Sequence, residues 1–479
     1  MANLSDDVFF ATISELGAKL RAREFSSVEL TRAYCDRLEK IGPKYNALAL
    51  SLRKEALRQA RDADDELRHD RVHGPLEGIP FGAKDLLAVK KHPTTWGAKP
   101  YATQVFDEDA QVIQKLDSAR AILIGKLAMV ELAGGGGYAS ASASLTGPGL
   151  NPWDPSRWSG GSSSGSGSAV AAGLVGFALG SETSGSILTP CAYCGITGLR
   201  PTYGLVSRRG AMPLSWTMDK IGPMCRSADD CGLVLHSIAG ADPQDSGSAG
   251  RGFSYAPEYS GKPEDLTIGY APVDFDEWPE PSARAGFQAA LEVMKSLGAK
   301  TREVKIPDFP YAALATTIIL AEGATVFEDL IRSGGVDQLA DRTQIAGLKA
   351  GLEIPATEYL KAMRIRTLVQ QAFEQVFIDV DVLLTPSRFD TATKITEPID
   401  GRNAGGRPEP KSRGLSEMIQ AGNLAGLPAL SLPCGFADQL PIAISLVGRP
   451  FSENHLLVLG RAFQSHTDWH RRRPPVLPA

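Results

Sequence analysis

The chain has 479 residues, 43% hydrophobic and 22% charged, which supplies apolar material for a large buried core and excludes disorder as the main state. Fifty basic against 55 acidic residues leave a formal net charge of −5, so there is no electrostatic footprint for nucleic acid or for an anionic membrane surface. Six cysteines in so long a chain do not make a disulfide framework and read as reduced thiols.

In chain order, the opening MANLSDDVFFATISEL carries acidic residues early and lacks a basic start followed by a long apolar run, unlike a secretory signal. No later stretch reaches the apolar length of a membrane span, and a cytoplasmic enzyme is the simplest inference. The first seventy residues read as helical. Ser26 and Ser27 offer N-caps, Leu30, Tyr34, Leu38 and Ile41 form an apolar stripe, and Gly42 with Pro43 stops it. A second helix is predicted from Leu52 to Leu67. Strands are predicted over Ala121 to Ile124, Leu266 to Tyr270 and Val380 to Leu384, and helices over Ser282 to Leu297 and Thr357 to Phe377. That alternation predicts an α/β layered fold, a central mixed or mostly parallel sheet with helices on both faces.

Residues 133–186 are rich in Gly and Ser, including GGSSSGSGS at Gly160 to Ser168, which by composition alone would be a linker. The apolar, small-residue segment that follows, Ala169 to Leu179, suits a buried helix or strand, so the Gly/Ser run is placed inside the fold, where small residues let backbone approach backbone. NPWDPSRW, Asn151 to Trp158, reads as a loop because of its two prolines. Asp242 to Pro263 and Gly401 to Gly414 read as exposed loops or lids.

A hydrolase needs a nucleophile, a base and donors for an oxyanion. The seven histidines show no metal-binding spacing, and sequence places none beside a serine. Cys191 and Cys194 form a C-x-x-C, but no second pair stands at zinc spacing, so neither a metal nor a cofactor is implied. Gly161, Ser163 and Gly165 satisfy G-x-S-x-G, the nucleophile elbow of α/β-hydrolases. An elbow should follow a strand, and this one follows the expected loop. Lys84 beside Asp85, taken alone, reads as a surface ion pair, and Ser186 alone as a helix cap.

Three segments change that reading by occurring together: GIPFGAKDLL from Gly78, WSGGSSSGSGSAVAAG from Trp158, and GSETSGSILTPCAYCGITGLRPTYG from Gly180. With NPWDPSRW, the run Gly204 to Met224 and the stretch Ala421 to Pro450, they resemble the amidase-signature family over nearly the whole chain, which implies one domain: a helical segment over 1–70, a catalytic core over 75–240 and a flexible loop near 400–415. The resemblance implies a catalytic triad of Lys84, Ser162 after a cis peptide bond, and Ser186 as nucleophile, and an oxyanion hole from the backbone of Thr183, Ser184, Gly185 and Ser186. Burial of Lys84 would lower its pKa and let the neutral amine draw a proton through Ser162. The chain departs from the family's usual G-T-D-T-G-G-S-I-R at Ser181, Glu182, Ser184 and Leu188, and Ser164 stands where a glycine is usual. Leu188 replaces a frequent arginine and so removes a cation near the reactive centre.

The expected activity is hydrolysis of a neutral, hydrophobic amide, with esters and carbamates (urethanes) as related small-molecule substrates, and with Tyr138, Trp153, Trp158 and Leu188 as candidate pocket residues. No nucleic acid or membrane partner is expected. Many members of the resembled family are dimers, so a homodimer is compatible with the resemblance. Two alternatives stand beside this reading: the glutaminase subunit of a tRNA-dependent amidotransferase, which Leu188 makes the lesser, and a catalytically inactive binding protein of the same fold.

Overall fold

A computed structural model describes residues 4–259, 261–399 and 410–475. Strands in chain order are β1 (Leu48–Ser51), β2 (Pro80–Lys84), β3 (Ile122–Leu127), β4 (Leu150–Asn151), β5 (Asp154–Trp158), β6 (Phe177–Glu182), β7 (Thr197–Arg200), β8 (Lys220–Cys225), β9 (Thr267–Tyr270), β10 (Lys300–Glu303), β11 (Val382–Pro386), β12 (Ala429–Ala437) and β13 (Leu440–Gly448). All but β4 and β5 form one mixed sheet in the order β1-β3-β2-β6-β8-β7-β12-β13-β11-β9-β10. The expected layered α/β domain is what the chain forms. β2 runs parallel to both β3 and β6, β9 parallel to β10 and β11, and the remaining pairs are antiparallel.

Side chains alternate across a strand, so neighbours in sequence serve opposite layers. Val382, Leu384, Leu430 and Leu446 join the larger apolar core, while Leu383, Ala429 and Val447 join a second one. Both faces are therefore covered, which explains why the central strands read as near-continuous apolar runs. The second core is closed by the helices Tyr311–Val326, Ala356–Asp379 and Met418–Ala425.

The helix expected after Ser26 spans Ser27–Ile41, with Ser26 accepting from the Glu29 amide and the Glu29 side chain accepting in return, a capping box. The next spans Arg53–Arg68, and the helices near 282–297 and 357–377 become Arg284–Ser296 and Ala356–Asp379. Two expectations are corrected. NPWDPSRW is not a loop but contributes to the β4–β5 hairpin, a two-stranded ribbon in which Pro155 stands at the start of β5, before the stretch whose outer edge bridges Lys394. Ala169 to Leu179 is not one element: a helix, Ser164–Ala171, ends there and β6 begins at Phe177. Of the loop expected near 400–415, residues 400–409 lie outside the described residues. Beyond them, the backbone N–H of Leu415 donates to the Asp274 carboxylate at 3.0 Å. Asp242 to Pro263 is partly pinned, since Asp245 pairs with Arg208 at 2.6 Å and Asp242 with Arg209 at 3.2 Å. Among the described residues no helix is long and apolar enough to cross a membrane.

The Gly/Ser run lies inside the fold because its helix packs backbone to backbone. A Cβ on Gly165 would stand 2.5 Å from the Ala128 nitrogen and 2.5 Å from the Ala47 oxygen. Gly165→Ala must push that helix off the end of β3, and chemical denaturation should show a loss of roughly 1–3 kcal/mol.

Candidate functional site

Lys84 ends β2 and Glu182 ends β6, and the two strands are parallel neighbours, so their carboxyl ends face one edge of the sheet. In open α/β sheets that edge is where ligands bind. The Gly/Ser-rich helix starts beside it, after a cis peptide bond between Gly161 and Ser162. Gly161 is required here by space: a Cβ would lie 2.7 Å from Trp158 Cζ2 and 2.8 Å from Val130 Cγ2.

Lys84 is completely buried, and its Nζ donates to Ser162 Oγ at 2.7 Å and to Ser181 Oγ at 2.9 Å. It has no carboxylate partner among the described residues. Asp85, its sequence neighbour, is taken by the buried Lys126 at 2.7 Å, so the surface ion-pair reading of Lys84 fails. Burial lowers the Lys84 ammonium to about 7, with only partial compensation from the more distant charges of Asp219 and Glu182.

Ser186 lies in the short link between β6 and the helix Leu188–Cys194 and is nearly buried, at 9% exposure. The N–H of Ser163 donates to the Ser186 carbonyl at 3.3 Å, which fastens the two serine-bearing segments together. Among the described residues the Ser186 hydroxyl makes no hydrogen bond, so the direct hydroxyl partners of Lys84 are Ser162 and Ser181. The amide N–H groups of Thr183, Ser184, Gly185 and Ser186 likewise have no acceptor among the described residues. Gly185 adopts φ +95°, a left-handed conformation that a side chain would resist, and thereby turns this run of amides.

Two acids hold the link in shape. Glu182 Oε2 accepts from the N–H groups of Ile187 at 2.9 Å and Leu188 at 3.0 Å, while Oε1 accepts from Arg200 at 2.9 Å and Asn423 at 2.8 Å. Burial alone would raise this carboxyl, but the Arg200 charge and the donors outweigh it and hold it at about 2. Asp219 accepts from the Thr183 hydroxyl at 2.5 Å and from the amides of Leu214 and Ser215 at 2.8 and 2.9 Å. Sequence reasoning named Ser181 and Glu182 only as departures. The signal was present: each keeps the chemical type of the Thr and Asp it replaces, a hydroxyl and a carboxylate.

Two cavities flank this edge. One of about 260 Å³ is reached by Ser181, Thr183 and Asp219. The other, about 580 Å³, begins at Leu188, Met418 and Ile419 and continues between Thr385, Ser387 and Arg388. Of the candidate pocket residues, Leu188 lines this larger cavity. Trp158 is buried beneath Gly161 and meets Tyr138 edge-on at 6.0 Å. Trp153 packs on Phe436 at 4.7 Å and donates to the Cys194 carbonyl at 2.9 Å. Ser163, the elbow candidate, does follow a strand, but of the hairpin; its fully buried hydroxyl donates to the Ser181 carbonyl at 3.2 Å and accepts from the Ser181 N–H at 3.3 Å. Ser164 is accommodated opposite Gly149, where a Cβ would come within 2.6 Å of the serine's own. Among the described residues no three His, Cys, Asp or Glu side chains are grouped so as to hold a metal ion.

Residues 29–457 match the model of a family described as Amidase. The A-subunit of the glutamyl-tRNA(Gln) amidotransferase of Chloroflexus aggregans is 37% identical, with 99% of this chain and 100% of that protein aligned. Its counterpart of the same name in Methylococcus capsulatus is also 37% identical, over 97% and 98%. Among solved structures, the native peptide amidase of Stenotrophomonas maltophilia superposes with a TM-score of 0.82 at 30% identity, covering 97% of this chain and 98% of that one. The A-subunit of the glutamyl-tRNA(Gln) amidotransferase of Thermotoga maritima superposes with 0.81 at 27% identity, over 99% and 100%.

Because Glu182 and Arg200 are both fully buried, removing one charge strands the other. Glu182→Gln should lower unfolding stability by about 3–5 kcal/mol in denaturant titration. The same substitution should reduce labelling of Ser186 by a fluorophosphonate, since the link that carries it loses its anchor.

Proposed function

Because this chain belongs to the amidase (amidase-signature) family, we propose that it cleaves a carbon–nitrogen amide bond by acyl transfer, with Ser186 as nucleophile, Ser162 as proton relay and Lys84 as base. The observation that carries this reading is the buried amine of Lys84, unpaired with any carboxylate among the described residues and 2.7 Å from the Ser162 hydroxyl. A serine hydroxyl is a weak nucleophile until a base takes its proton, and a desolvated lysine is such a base. Ser186 Oγ, free of other hydrogen bonds among the described residues, passes its proton to Ser162 as Ser162 passes its own to Lys84, and bonds to the substrate carbonyl carbon. The oxygen that becomes negative meets the unpaired amides of residues 183–186, where each donor is worth several kcal/mol to a developing oxyanion. Collapse breaks the C–N bond, the leaving nitrogen takes the proton back through Ser162, and water then hydrolyses the Ser186 ester. Ser181, which also holds Lys84, fixes the direction of the amine.

For the substrate, two observations favour a small polar amide and the glutaminase role within an amidotransferase. The relatives named above, aligned end to end, carry the amidotransferase name. The larger cavity is also walled by Thr385, Ser387, Arg157 and Arg388 and is less apolar than a hydrophobic acyl group calls for. This reverses the weight that Leu188 alone suggests. Stand-alone hydrolysis of a neutral amide, ester or carbamate is the second reading, favoured by the apolar stretch of the cavity wall at Leu188, Met418 and Ile419.

Assay of the purified chain on glutamine, an acyl anilide and an aryl carbamate separates the two. Turnover of anilide or carbamate by the lone chain, with none of glutamine, supports the second reading; glutamine turnover that rises when partner subunits are added supports the first. Fluorophosphonate labelling is expected to vanish in Ser186→Ala and to persist in Ser163→Ala, and the reverse result would remove Ser186 as nucleophile.

The pH profile tests the base. Protonated Lys84 cannot accept a proton, so kcat/KM should rise with pH and level off with an apparent pKa of about 7. Lys84→Met should lower kcat by at least about 10³-fold, within the range of general-base contributions. Stability follows from the same shift: the folded chain releases this proton near 7 and the unfolded chain near 10.5, so stability rises with pH across that window. That rise should be absent in Lys84→Met.

A further inference from the structure

We infer that the larger cavity contains an anion-recognition subsite in which Arg388 and Arg157 take a carboxylate carried by the substrate away from its scissile amide; this rests on the amidase reading of the neighbouring serines. The cavity touches the reaction centre at Leu188, two residues beyond Ser186, and at Ile419, whose Cγ2 would stand 3.2 Å from a Cβ on Gly185. The cavity thus adjoins the segment that carries Ser186, and we take a group held in it as the far end of the molecule whose amide meets Ser186.

Arg388 follows β11 directly, so the sheet fixes its backbone. Its side chain is mostly buried, at 17% exposure, and its guanidinium lies 5.8 Å from the centre of the Tyr193 ring. Its Nε faces Asp390 Oδ1 at 3.5 Å, an ion pair beyond ideal hydrogen-bond geometry, and that oxygen already accepts the Tyr193 hydroxyl at 3.0 Å. Among the described residues Arg388 Nε has no hydrogen-bond acceptor. Arg157, on β5, is in a similar state: one nitrogen donates to the Ala392 carbonyl at 2.9 Å, Asp154 stands 3.7 Å away, and Nε has no acceptor among the described residues.

The wall carries other charges too, the acids Glu280, Asp390, Glu397 and Asp438 among them, and Lys394 faces Glu397 at 3.6 Å. Arg200 is bound to Glu182 through Nη1 at 2.9 Å, with Nη2 left without an acceptor among the described residues, and Glu277 faces Lys411 at 3.4 Å. Leaving a guanidinium donor unmatched away from water is costly, and a planar carboxylate is the ligand whose geometry matches its fork. A carboxylate-bearing amide thus gains two cationic contacts that a neutral amide of the same length lacks.

The test uses glutaramate and pentanamide, which share the amide and differ in the distal carboxylate, with the full chain throughout. The wild-type ratio of kcat/KM, glutaramate over pentanamide, is expected to exceed ten and to fall at least tenfold in Arg388→Gln and in Arg157→Gln, mainly through KM. Arg388→Lys, which keeps the charge but not the fork, should recover part of the loss, and thermal melting identifies any variant that fails to fold. A ratio at or below one in the wild type, or unchanged in both glutamine variants, overturns the subsite. Glutarate binding to Ser186→Ala, followed by calorimetry, stands apart from turnover. Arg388-dependent binding with neither amide hydrolysed keeps the subsite and rejects the amidase reading; no binding overturns the subsite.

Discussion

The buried pair of Glu182 and Arg200 is the constraint on which the site's geometry rests. One carboxylate joins the end of β6, the first amides of the helix Leu188–Cys194, the end of β7 and Asn423 of the helix Met418–Ala425. Burying two charges has a desolvation cost that a single contact does not return, and further hydrogen bonds offset it, satisfying Glu182 fully and Arg200 through Nε and Nη1, while Arg200 Nη2 has no acceptor among the described residues. Arg200 also donates to the Leu427 carbonyl at 3.0 Å, and Glu182 has four donors. The consequence is positional. With both ends of the link from 183 to 187 anchored on one carboxylate, its amides are spent on nothing else and face the cavity edge as a set.

Two buried lysines on adjacent parallel strands show how the same fold produces opposite chemistry. Lys126 on β3 meets Asp85 at 2.7 Å, and also Thr94 Oγ1 at 2.5 Å and the Pro93 carbonyl at 2.9 Å, an arrangement that needs the ammonium. Lys84 on β2 meets two hydroxyls, which serve an amine as well as an ammonium. Burial pushes both down, but for Lys126 the adjacent carboxylate opposes it, while for Lys84 the opposing charges are farther away. A one-residue step off the end of β2, from Lys84 to Asp85, separates the proton acceptor from the ion pair that would have kept it charged.

Local pattern made much of the fold legible before the structure. The capping box at Ser26, the apolar periodicity of the helices and the burial of the Gly/Ser run are all short-range signals, and each appears in the fold. The β4–β5 hairpin escaped because its prolines look like prolines in a loop. For the site, the resemblance singled out Lys84, Ser162 and Ser186, yet the pairing of Lys84 with Ser181 was not visible. It depends on the register in which Ala83 lies opposite Leu179, a fact of sheet pairing that no single strand contains. Asp219, Asn423 and Arg388 were missed for the same reason: they lie tens to hundreds of residues from the serines and approach them only through the sheet.

Leu188 illustrates how a local substitution misleads when charge is counted along the chain and not in space. Replacing a frequent arginine by leucine two residues beyond Ser186 suggests an apolar acyl site, and around Leu188 itself the wall is apolar, with Met418 and Ile419 beside it. Elsewhere on the same wall, Arg157 arrives from the β4–β5 hairpin, holding the Ala392 carbonyl, and Arg388 from just beyond β11. The cation is thus absent at one point of the wall and supplied at others. Because guanidinium groups reach far on flexible stems, a cavity's charge is set by where such stems converge, and that convergence is a property of topology. An apolar stretch at Leu188 with guanidinium groups elsewhere on the same wall selects for length as well as charge: a carboxylate next to the amide would be stranded beside Leu188, and one several bonds away would meet Arg388.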